Sequence, residues 1–299
     1  MLNSAGRPTT TTLLILPSHR SGGVAPAPIG GAIAPDGRFE FTNVPPGEYA
    51  VQAFRTRGNP STEGEFAGAY VQVAGADVTG VELKATVGST IRGRLTFADD
   101  EPIPQGRFTI VPARADLDQT LFGTELARGD VQNDQTFELH GLHGPRRLVL
   151  GVAPPGWILK AVRTNGMDVT DMPLAFGTEK ESLDDVEIVA TSRSSGLVGS
   201  VVDDRGARVA NYSLLMFPVD RALWYAESRF FRRAEPGADG KVNVPAMSPG
   251  EYFAAAVRPF DAQDDSWQDP EVLEKLAMRA TRATMAPGAT LAITTTMMR

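Results

Sequence analysis

The fold is decided by the stretch DGRFEFTNVPPGEY, residues Asp36 to Tyr49, because copies of it recur further along the chain. The copy DGKVNVPAMSPGEY begins at Asp239, 203 residues later. A weaker copy, DQTFELHGLHGPRR, begins at Asp134, 98 residues after the first, and has Gly144-Pro145 where the others have Pro-Gly. The positions that carry the repeat are Asp36, Gly37, Phe39, Pro46, Gly47 and Tyr49 in the first copy, and Asp239, Gly240, Pro249, Gly250 and Tyr252 in the last.

Each copy predicts a strand, a turn and a second strand. The Asp-Gly pair forms a tight turn with positive φ at the glycine. Phe39 and Phe41 then alternate with charged residues, which is typical of a strand with one buried face. Pro46 fixes φ, Gly47 turns the chain, and a second alternating run starts at Tyr49. We therefore expect the repeat tyrosines to point into the core.

Short strands separated by Gly, Pro and Asp fill the rest of the chain, which favours an all-β fold of antiparallel β-sandwiches. The repeat spacing predicts three tandem Ig-like or transthyretin-like sandwiches of about 100 residues each. Their expected boundaries are 1–86, 87–192 and 193–299. One short helix is predicted near Asp269 to Ala280, because Asp269 can cap it and Pro270 suits its first turn. We expect this helix to pack on the third sandwich.

Composition excludes several classes of function. The 299 residues include 36 acidic and 29 basic ones, and the resulting net charge of −7 does not favour nucleic acid as a partner. The chain has no cysteine, which excludes disulfides, iron–sulfur clusters, thiolate zinc sites and cysteine nucleophiles. The apolar run from Leu13 to Leu16 is too short for a signal-peptide core or a membrane span. The sequence as written carries no recognisable targeting signal.

Sequence motifs for catalysis are also missing. A zinc peptidase needs a His-x-x-Glu pair and a distant third ligand, and the chain has no such pair. His140 and His143 are three residues apart but have no third ligand nearby in the sequence, and no Gly-x-Ser-x-Gly occurs. We therefore predict a protein that is not an enzyme and binds no metal and no cofactor.

Pairs of acidic residues recur in the predicted turns, where carboxylates could hold calcium. None belongs to a spaced Asp-x-Asp-x-Asp series with a later glutamate, so solvated turn residues are the favoured interpretation and calcium stays an open alternative. The pairs are Asp99-Asp100, Asp184-Asp185, Asp203-Asp204 and Asp264-Asp265.

The most distinctive stretch is WYAESRFFRR, residues 224–233. If Trp224, Tyr225 and Trp267 shared one exposed face, they could stack on sugar rings or anchor a peptide, and Arg229 could bind carboxylates. These four residues are the candidate ligand-binding site. In the alternative interpretation, the aromatic rings cover the end of the sandwich, the last two arginines are solvated, and Trp267 packs against the following helix.

Three motifs together resemble the carboxypeptidase regulatory-like domain. They are the Gly-x-Val-x-Asp opening at Gly199, the Asp-Gly-x-Phe-x-Phe strand at Asp36 and the Pro-Pro-Gly-x-Tyr turn at Pro45. The resemblance implies a transthyretin-like β-sandwich of about seven strands, related to carbohydrate-binding folds. The third repeat is also similar to multi-repeat proteins of environmental bacteria, through a Phe-Pro-x-Asp-x-x-x-Trp loop at Phe217 and a Trp-x-Asp-Pro-Glu motif at Trp267.

The resemblance implies a non-catalytic accessory module, because the family takes its name from a domain that lies beside a zinc peptidase and has no peptidase chemistry of its own. Tandem copies of this family are common in secreted and outer-membrane bacterial proteins. The expected role is structural, adhesive or that of a spacer at the bacterial cell surface, in an extracellular, periplasmic or outer-membrane-associated location. A carbohydrate- or peptide-binding module is the alternative. The expected partners are a glycan or a protein at the cell surface.

The first repeat is predicted to lack its opening strand. The second and third repeats open with IRGRL at Ile91 and LVGSV at Leu197, which have no counterpart at the start of the sequence. Aligning Leu16-Pro17 with Phe217-Pro218 places Met1 in the turn after that strand. We therefore expect the sequence to start inside its first repeat, with further coding sequence upstream.

Overall fold

A computed structural model describes residues 1–10, 12–17, 29–55, 65–98, 103–115, 128–177, 182–225, 227–261 and 266–298. The chain divides into two compact units. The first comprises Met1–Arg94, Thr109–Leu148 and Arg163–Val186, and the second comprises Leu95–Phe108, Val149–Val162 and Glu187–Arg299. The prediction of an all-β class is confirmed, since the described residues form many strands and one short α-helix. The division into three sandwiches stays a prediction.

Strands β1 to β6 belong to the first repeat. Their bounds are β1 Thr12–Pro17, β2 Ile29–Ile33, β3 Phe39–Glu40, β4 Gly47–Arg55, β5 Glu65–Val73 and β6 Thr86–Val87. They form one sheet of order β3-β2-β1-β4-β5-β6. The central strand β4 is antiparallel to both β1 and β5 over almost its whole length, so the run that starts at Tyr49 lies in the middle of this sheet.

Strands β7 to β15 belong to the second repeat. Their bounds are β7 Ser89–Phe97, β8 Thr109–Arg114, β9 Gly129–Asp130, β10 Thr136–Leu142, β11 Gly144–Val152, β12 Ile158–Thr164, β13 Met167–Asp168, β14 Leu174–Phe176 and β15 Ser182–Thr191. They form a five-stranded sheet of order β10-β7-β15-β12-β13 and a four-stranded sheet of order β14-β11-β8-β9.

Strands β16 to β23 belong to the third repeat. Their bounds are β16 Ser195–Val202, β17 Arg208–Val209, β18 Ser213–Pro218, β19 Arg232–Ala234, β20 Lys241–Met247, β21 Gly250–Val257, β22 Thr281–Met285 and β23 Thr290–Thr296. One sheet has the order β17-β16-β20 with β23 on β16, and the other has the order β19-β18-β21-β22. The β16–β23 pair is parallel, which the sequence did not predict. A parallel pair requires a long connection, and here almost the whole repeat lies between the two strands.

The predicted helix forms as α1, Pro270–Ala277, and ends three residues earlier than expected. Asp269 is its N-cap and accepts a hydrogen bond from the Glu271 N–H at 2.7 Å. Leu273 is fully buried in a cluster with Phe217 and Phe253 of the sheet β19-β18-β21-β22. This apolar contact holds the short helix in place, because an isolated helix of this length is not stable in water.

The Asp turn has the same geometry in all three copies. In the first copy the Ala34 N–H donates to the Arg38 carbonyl at 2.8 Å, and the Gly37 N–H donates to the Ala34 carbonyl at 2.8 Å. In the middle copy the Gln132 N–H donates to the Thr136 carbonyl, and the Gln135 N–H donates to the Gln132 carbonyl. In the last copy the Gly237 N–H donates to the Lys241 carbonyl, and the Gly240 N–H donates to the Gly237 carbonyl. The turn residue has positive φ in each copy: Gly37 at 83°, Gln135 at 67° and Gly240 at 72°.

The middle copy keeps this turn without a glycine. Asp134 accepts hydrogen bonds from the N–H and the hydroxyl of Thr136, at 3.1 and 2.7 Å. These bonds, the hydroxyl first, lower the pKa of the Asp134 carboxyl below its ordinary value. Asp36 and Asp239 accept from the N–H groups of Arg38 and Lys241 in the same way, so the bond from the Thr136 hydroxyl is the one that only the middle copy adds.

The second turn of the repeat is a corner closed by a tyrosine. The Tyr49 hydroxyl donates to the Pro45 carbonyl at 2.9 Å, and the Tyr252 hydroxyl donates to the Ser248 carbonyl at 2.8 Å. The two tyrosines are only 6% and 1% exposed. A tyrosine that bonds back to the backbone a few residues upstream is known from other β-sandwiches as a tyrosine corner.

The middle copy closes the same corner with an arginine. In the middle copy the His143 carbonyl corresponds to the carbonyls of Pro45 and Ser248. It accepts a hydrogen bond from Arg146 Nε at 2.9 Å. Arg147 stands at the tyrosine position and donates to the Asp171 carbonyl at 3.0 Å. Both arginines are buried. The corner carbonyl therefore has a side-chain donor in every copy.

A residue with positive φ precedes each corner by two positions. These residues are Asn43 at 56°, Gly141 at 70° and Ala246 at 54°. Alanine rarely adopts this conformation, because its Cβ approaches the neighbouring carbonyl oxygen. Contacts elsewhere in the fold must therefore compensate for some backbone strain at Ala246.

Each repeat tyrosine is part of a hydrophobic core. The core around Tyr49 includes Met1, Val51, Ala53, Ala67, Leu83 and Ala85. The core around Tyr252 includes Leu197, Val201, Tyr212, Leu214, Met216, Val242, Val244 and Met247. The predicted inward direction of both tyrosines agrees with their burial.

We predict that Tyr49→Ala and Tyr252→Ala each lower the free energy of unfolding by about 3–5 kcal/mol, because a buried ring is lost. The corresponding Tyr→Phe variants should lose about 0.5–3 kcal/mol, with the larger loss at Tyr252, because the bond to Ser248 is buried and the bond to Pro45 is only partly buried. Chemical denaturation of the 299-residue chain measures both effects. Tyr70→Ala is the matched control, since Tyr70 on β5 is 50% exposed. If the variants at Tyr49 and Tyr252 were as stable as this control, the corner would not stabilise the fold.

Candidate functional site

The candidate residues lie on two short connections of the third repeat. Trp224, Tyr225 and Arg229 follow the 3-10 turn Arg221–Leu223, which Asp220 caps by accepting from the Ala222 N–H at 3.0 Å. Trp267 lies in the second 3-10 turn, Ser266–Gln268, just before α1. The Asp220 cap therefore fixes where Trp224 enters the domain.

Both tryptophan rings are buried. Trp224 and Trp267 are each 8% exposed, and they belong to the same hydrophobic cluster. Trp224 Nε1 donates to the Pro218 carbonyl at 2.7 Å, and its ring lies edge-on to Phe217 with centroids 5.7 Å apart. The Trp267 ring packs on Phe231 with centroids 5.4 Å apart. Neither ring offers an open face to a sugar, so the geometry favours the packing interpretation.

Tyr225 is half-buried, and its carbonyl accepts from the Ser228 N–H at 3.1 Å. Arg229 Nη1 donates to the Ser248 hydroxyl at 3.0 Å, and the guanidinium lies 4.1 Å from the centroid of the Phe230 ring. The three candidate aromatic residues therefore do not share one exposed face. Ligand binding by Trp224, Tyr225, Arg229 and Trp267 stays a prediction.

The last two arginines of the segment bind backbone carbonyls, whereas the packing interpretation of the sequence predicted that they would be solvated. Arg232 Nη1 donates to the Phe231 carbonyl at 2.7 Å, and its Nη2 donates to the Ala246 carbonyl at 3.2 Å. Burial lowers the pKa of Arg232 from its ordinary value. Arg233 Nη2 donates to the Phe260 carbonyl at 2.6 Å. Guanidinium groups suit this task because they carry five donors in a fixed plane.

These contacts connect the segment with the tyrosine corner. Arg232 binds the carbonyl of Ala246, the residue of positive φ, and Arg229 binds the side chain of Ser248, whose carbonyl Tyr252 holds. The Phe230 ring lies 6.4 Å from the Tyr252 ring. The aromatic and basic segment therefore supports the corner of its own repeat. Sequence reasoning missed this role, because the segment and the corner are separated along the chain.

The buried arginines of the middle repeat were also missed. When the middle copy is aligned with the others, Arg147 stands at the tyrosine position and Arg146 stands just before it. This alignment was the one sequence signal that could have identified the two arginines. A charged pair at a core position usually requires partners, and both arginines bind carbonyls here.

His140, His143 and the acidic pairs in the described part of the chain belong to no recognisable metal site. Among the described residues there is no group of three or more His, Cys, Asp or Glu side chains that could hold a metal ion. His140 Nδ1 lies 3.3 Å from the Thr90 hydroxyl, while His143 is buried with its ring 5.1 Å from that of Phe66. Asp203 accepts from two N–H groups of its own turn, those of Arg205 and Ala207.

Two of the acidic pairs, Asp99-Asp100 and Asp264-Asp265, lie outside the described residues. In the pair Asp184-Asp185, Asp184 lies 3.4 Å from the Arg92 guanidinium. Calcium binding by these pairs stays an open alternative. No helix in the described part of the chain is long and apolar enough to cross a membrane.

Comparisons with known proteins give only distant similarities. No family model matches the chain, and no curated protein matches it in sequence. Among solved structures, the Bacillus anthracis TIE protein is 10% identical with a TM-score of 0.27, over 99% of this chain and 48% of that one. A streptococcal ancillary pilin is 10% identical with a TM-score of 0.28, over 96% and 93% of the two chains. GBS52, the minor pilin of Streptococcus agalactiae, is 12% identical with a TM-score of 0.26, over 70% and 94%. The chain thus spans about half the length of the first of these proteins.

We predict that Trp224→Ala and Trp267→Ala each destabilise the third repeat by about 3–5 kcal/mol, and that the double variant does not fold, because both rings are buried. Thermal denaturation followed by tryptophan fluorescence and circular dichroism measures this loss. Met278→Ala is the matched control, since Met278 lies at the end of α1 and is 78% exposed. A double variant that melted like the control but lost binding on a glycan array would contradict the packing role.

Proposed function

We propose that this chain is a non-catalytic protein of β-sandwich modules, of the carboxypeptidase regulatory-like type, with a structural, adhesive or spacer role at the bacterial cell surface. The proposal rests on the three sequence motifs and on the way the third repeat uses its most distinctive residues. Its location would be extracellular, periplasmic or outer-membrane-associated, and its partners a glycan or a protein at the surface.

The observation that carries the proposal is the use of polar side chains as internal supports. Trp224 Nε1, Arg232 and Arg233 all donate to backbone carbonyls of the same repeat. In the second repeat Arg146 and Arg147 do the same. Side chains used in this way satisfy backbone groups of their own repeat. They do stiffen the connections between strands, which is useful in a spacer or an adhesive scaffold.

The alternative of carbohydrate or peptide binding by the aromatic residues of the third repeat receives no support from the buried rings of Trp224 and Trp267. A binding site on these residues would need an exposed ring face, because a ring binds a sugar through that face.

We expect the protein to lie outside the cytoplasmic membrane of the bacterium that produces it. Protease is added to intact cells and to cells whose outer layer has been permeabilised, and an antibody against the chain follows its digestion. Digestion in either sample, with a cytoplasmic control protein left intact, is the expected result. Protection of the chain in both samples, with release only on lysis, would contradict the proposed location and role.

A further inference from the structure

Arg229 connects the third repeat with a strand of the second repeat. The chain itself passes from β15 to β16 through residues 192–194. At a position remote from this linker in the sequence, Arg229 Nη1 donates to the Leu159 carbonyl of β12 at 3.3 Å. Leu159 lies in the segment Val149–Val162, which belongs to the same compact unit as the whole third repeat. The contact is therefore internal to that unit.

The linker is held at its ends by hydrogen bonds. The Gly288 N–H donates to the Arg193 carbonyl at 3.3 Å, and the Ser195 hydroxyl donates to the Ala286 carbonyl at 2.7 Å. The Arg193 N–H donates to the Thr191 hydroxyl at 3.1 Å. A single short connection limits how far two repeats can separate, but rotation about its φ and ψ angles can still reorient them. A second attachment at another point removes this freedom.

The Arg229 guanidinium has the geometry for such an attachment. The same Nη1 also donates to the Ser248 hydroxyl at 3.0 Å. One Nη carries two N–H groups, so it can serve the Leu159 carbonyl and the Ser248 hydroxyl together. The guanidinium lies 4.1 Å from the centroid of the Phe230 ring. A planar, charged group that rests on an aromatic ring presents its donors in a fixed direction.

The backbone around Arg229 is also fixed within the third repeat. The Arg229 carbonyl accepts a hydrogen bond from Arg232 Nη1 at 2.9 Å, and the Phe231 N–H donates to the Ser228 carbonyl at 2.9 Å. Ser228 and Phe230 are buried. The guanidinium is thus held in position by its own repeat, which lowers the conformational entropy lost when it binds β12.

The accepting part of β12 is buried as well. Ile158 and Leu159 are 8% and 6% exposed. Consecutive strand residues point to opposite faces of a sheet, so β12 is covered on both faces at this point. Strand β13 pairs with β12 only at Arg163 and Thr164, four residues or more beyond Leu159. Arg229 therefore donates to a part of β12 with which β13 does not pair.

We propose that Arg229 is a positioning residue that fixes the third repeat to β12 of the second repeat and prevents rotation about the linker. The connection continues from the Arg229 guanidinium to the Ser248 hydroxyl, and the Ser248 carbonyl accepts from the Tyr252 hydroxyl. Tyr252 is part of the core of the third repeat. The contact with β12 is therefore linked to a buried ring by consecutive hydrogen bonds.

This inference deepens the proposed spacer role and rests on it for its biological meaning. A spacer keeps its two ends at a set separation only if its modules do not reorient. Inter-domain motion is the default for modules joined by one linker. The bond to Leu159 is partly buried and its donor is charged, and such bonds are stronger than exposed bonds between neutral groups.

The test measures the distance between two nitroxide spin labels by double electron–electron resonance on the 299-residue protein. Because the chain has no cysteine, Val152→Cys in the second repeat and Met278→Cys in the third place the labels uniquely. Both side chains are exposed, at 47% and 78%. With Arg229 in place the distance distribution should be narrow. Arg229→Met should broaden it at least about twofold, because methionine keeps an apolar stem over Phe230 but has no donor.

Arg205→Met is the matched control. Arg205 lies exposed in the turn after β16, where only its backbone N–H bonds to Asp203 among the described residues. The control should give the same distribution as the labelled protein with Arg229 and Arg205 intact. Circular dichroism melting curves show whether each variant is folded.

Two results would overturn the proposal. One is a broad distribution in the labelled protein that retains Arg229, which needs no variant to fold. The other is a folded Arg229→Met variant whose distribution is as narrow as that of the control. If Arg229→Met did not fold, Arg229→Lys decides in its place and should also broaden the distribution, since an ammonium group lacks the planar fork. These distances do not depend on where the protein lies in the cell, so this inference and the proposed function fail separately.

Discussion

A hydrogen bond from a side chain to one corner carbonyl is the interaction on which the rest of the structure depends. The carbonyl belongs to Pro45, His143 and Ser248 in the three repeats, and its donors are Tyr49, Arg146 and Tyr252. A chain that leaves one strand and enters the next has a carbonyl with no strand partner, and a buried carbonyl without a donor is destabilising. The tyrosine satisfies this carbonyl and fills the core with the same side chain. In the middle repeat Arg146 binds the corner carbonyl, while Arg147 takes the tyrosine position and binds the Asp171 carbonyl.

The third repeat adds a second layer of support to this corner. Arg232 holds the carbonyl of Ala246, and Arg229 binds Ser248. Trp224 closes its own loop on the Pro218 carbonyl, so the aromatic and basic segment forms part of the domain. The four residues of the predicted binding site thus make contacts within their own repeat.

Local chemistry decided which features the sequence could predict. The Asp turn, the strand after it, the inward tyrosines and the cap at Asp269 depend on residues within a few positions of each other, and the sequence predicted all of them. The positive φ at Gln135 and Ala246 could not be predicted, because neither residue favours it and the surrounding fold imposes it. The burial of Trp224 could not be decided either, since a ring on a loop can cover a core or face solvent. Only the position of the distant helix α1 and its neighbours settles that choice.

The most direct test of the corner compares two alanine-to-glycine variants in the third repeat. Ala246 has φ of 54°, so glycine should relieve strain there and raise the free energy of unfolding by up to about 1 kcal/mol. Ala292 lies exposed on β23, where the same change should lower it by about 0.5–1 kcal/mol, because glycine only adds chain entropy to the unfolded state. Denaturation of both variants should therefore give effects of opposite sign. If Ala246→Gly and Ala292→Gly destabilised the protein equally, Ala246 would not be strained. That result would contradict the claim that a strained corner with positive φ organises each repeat.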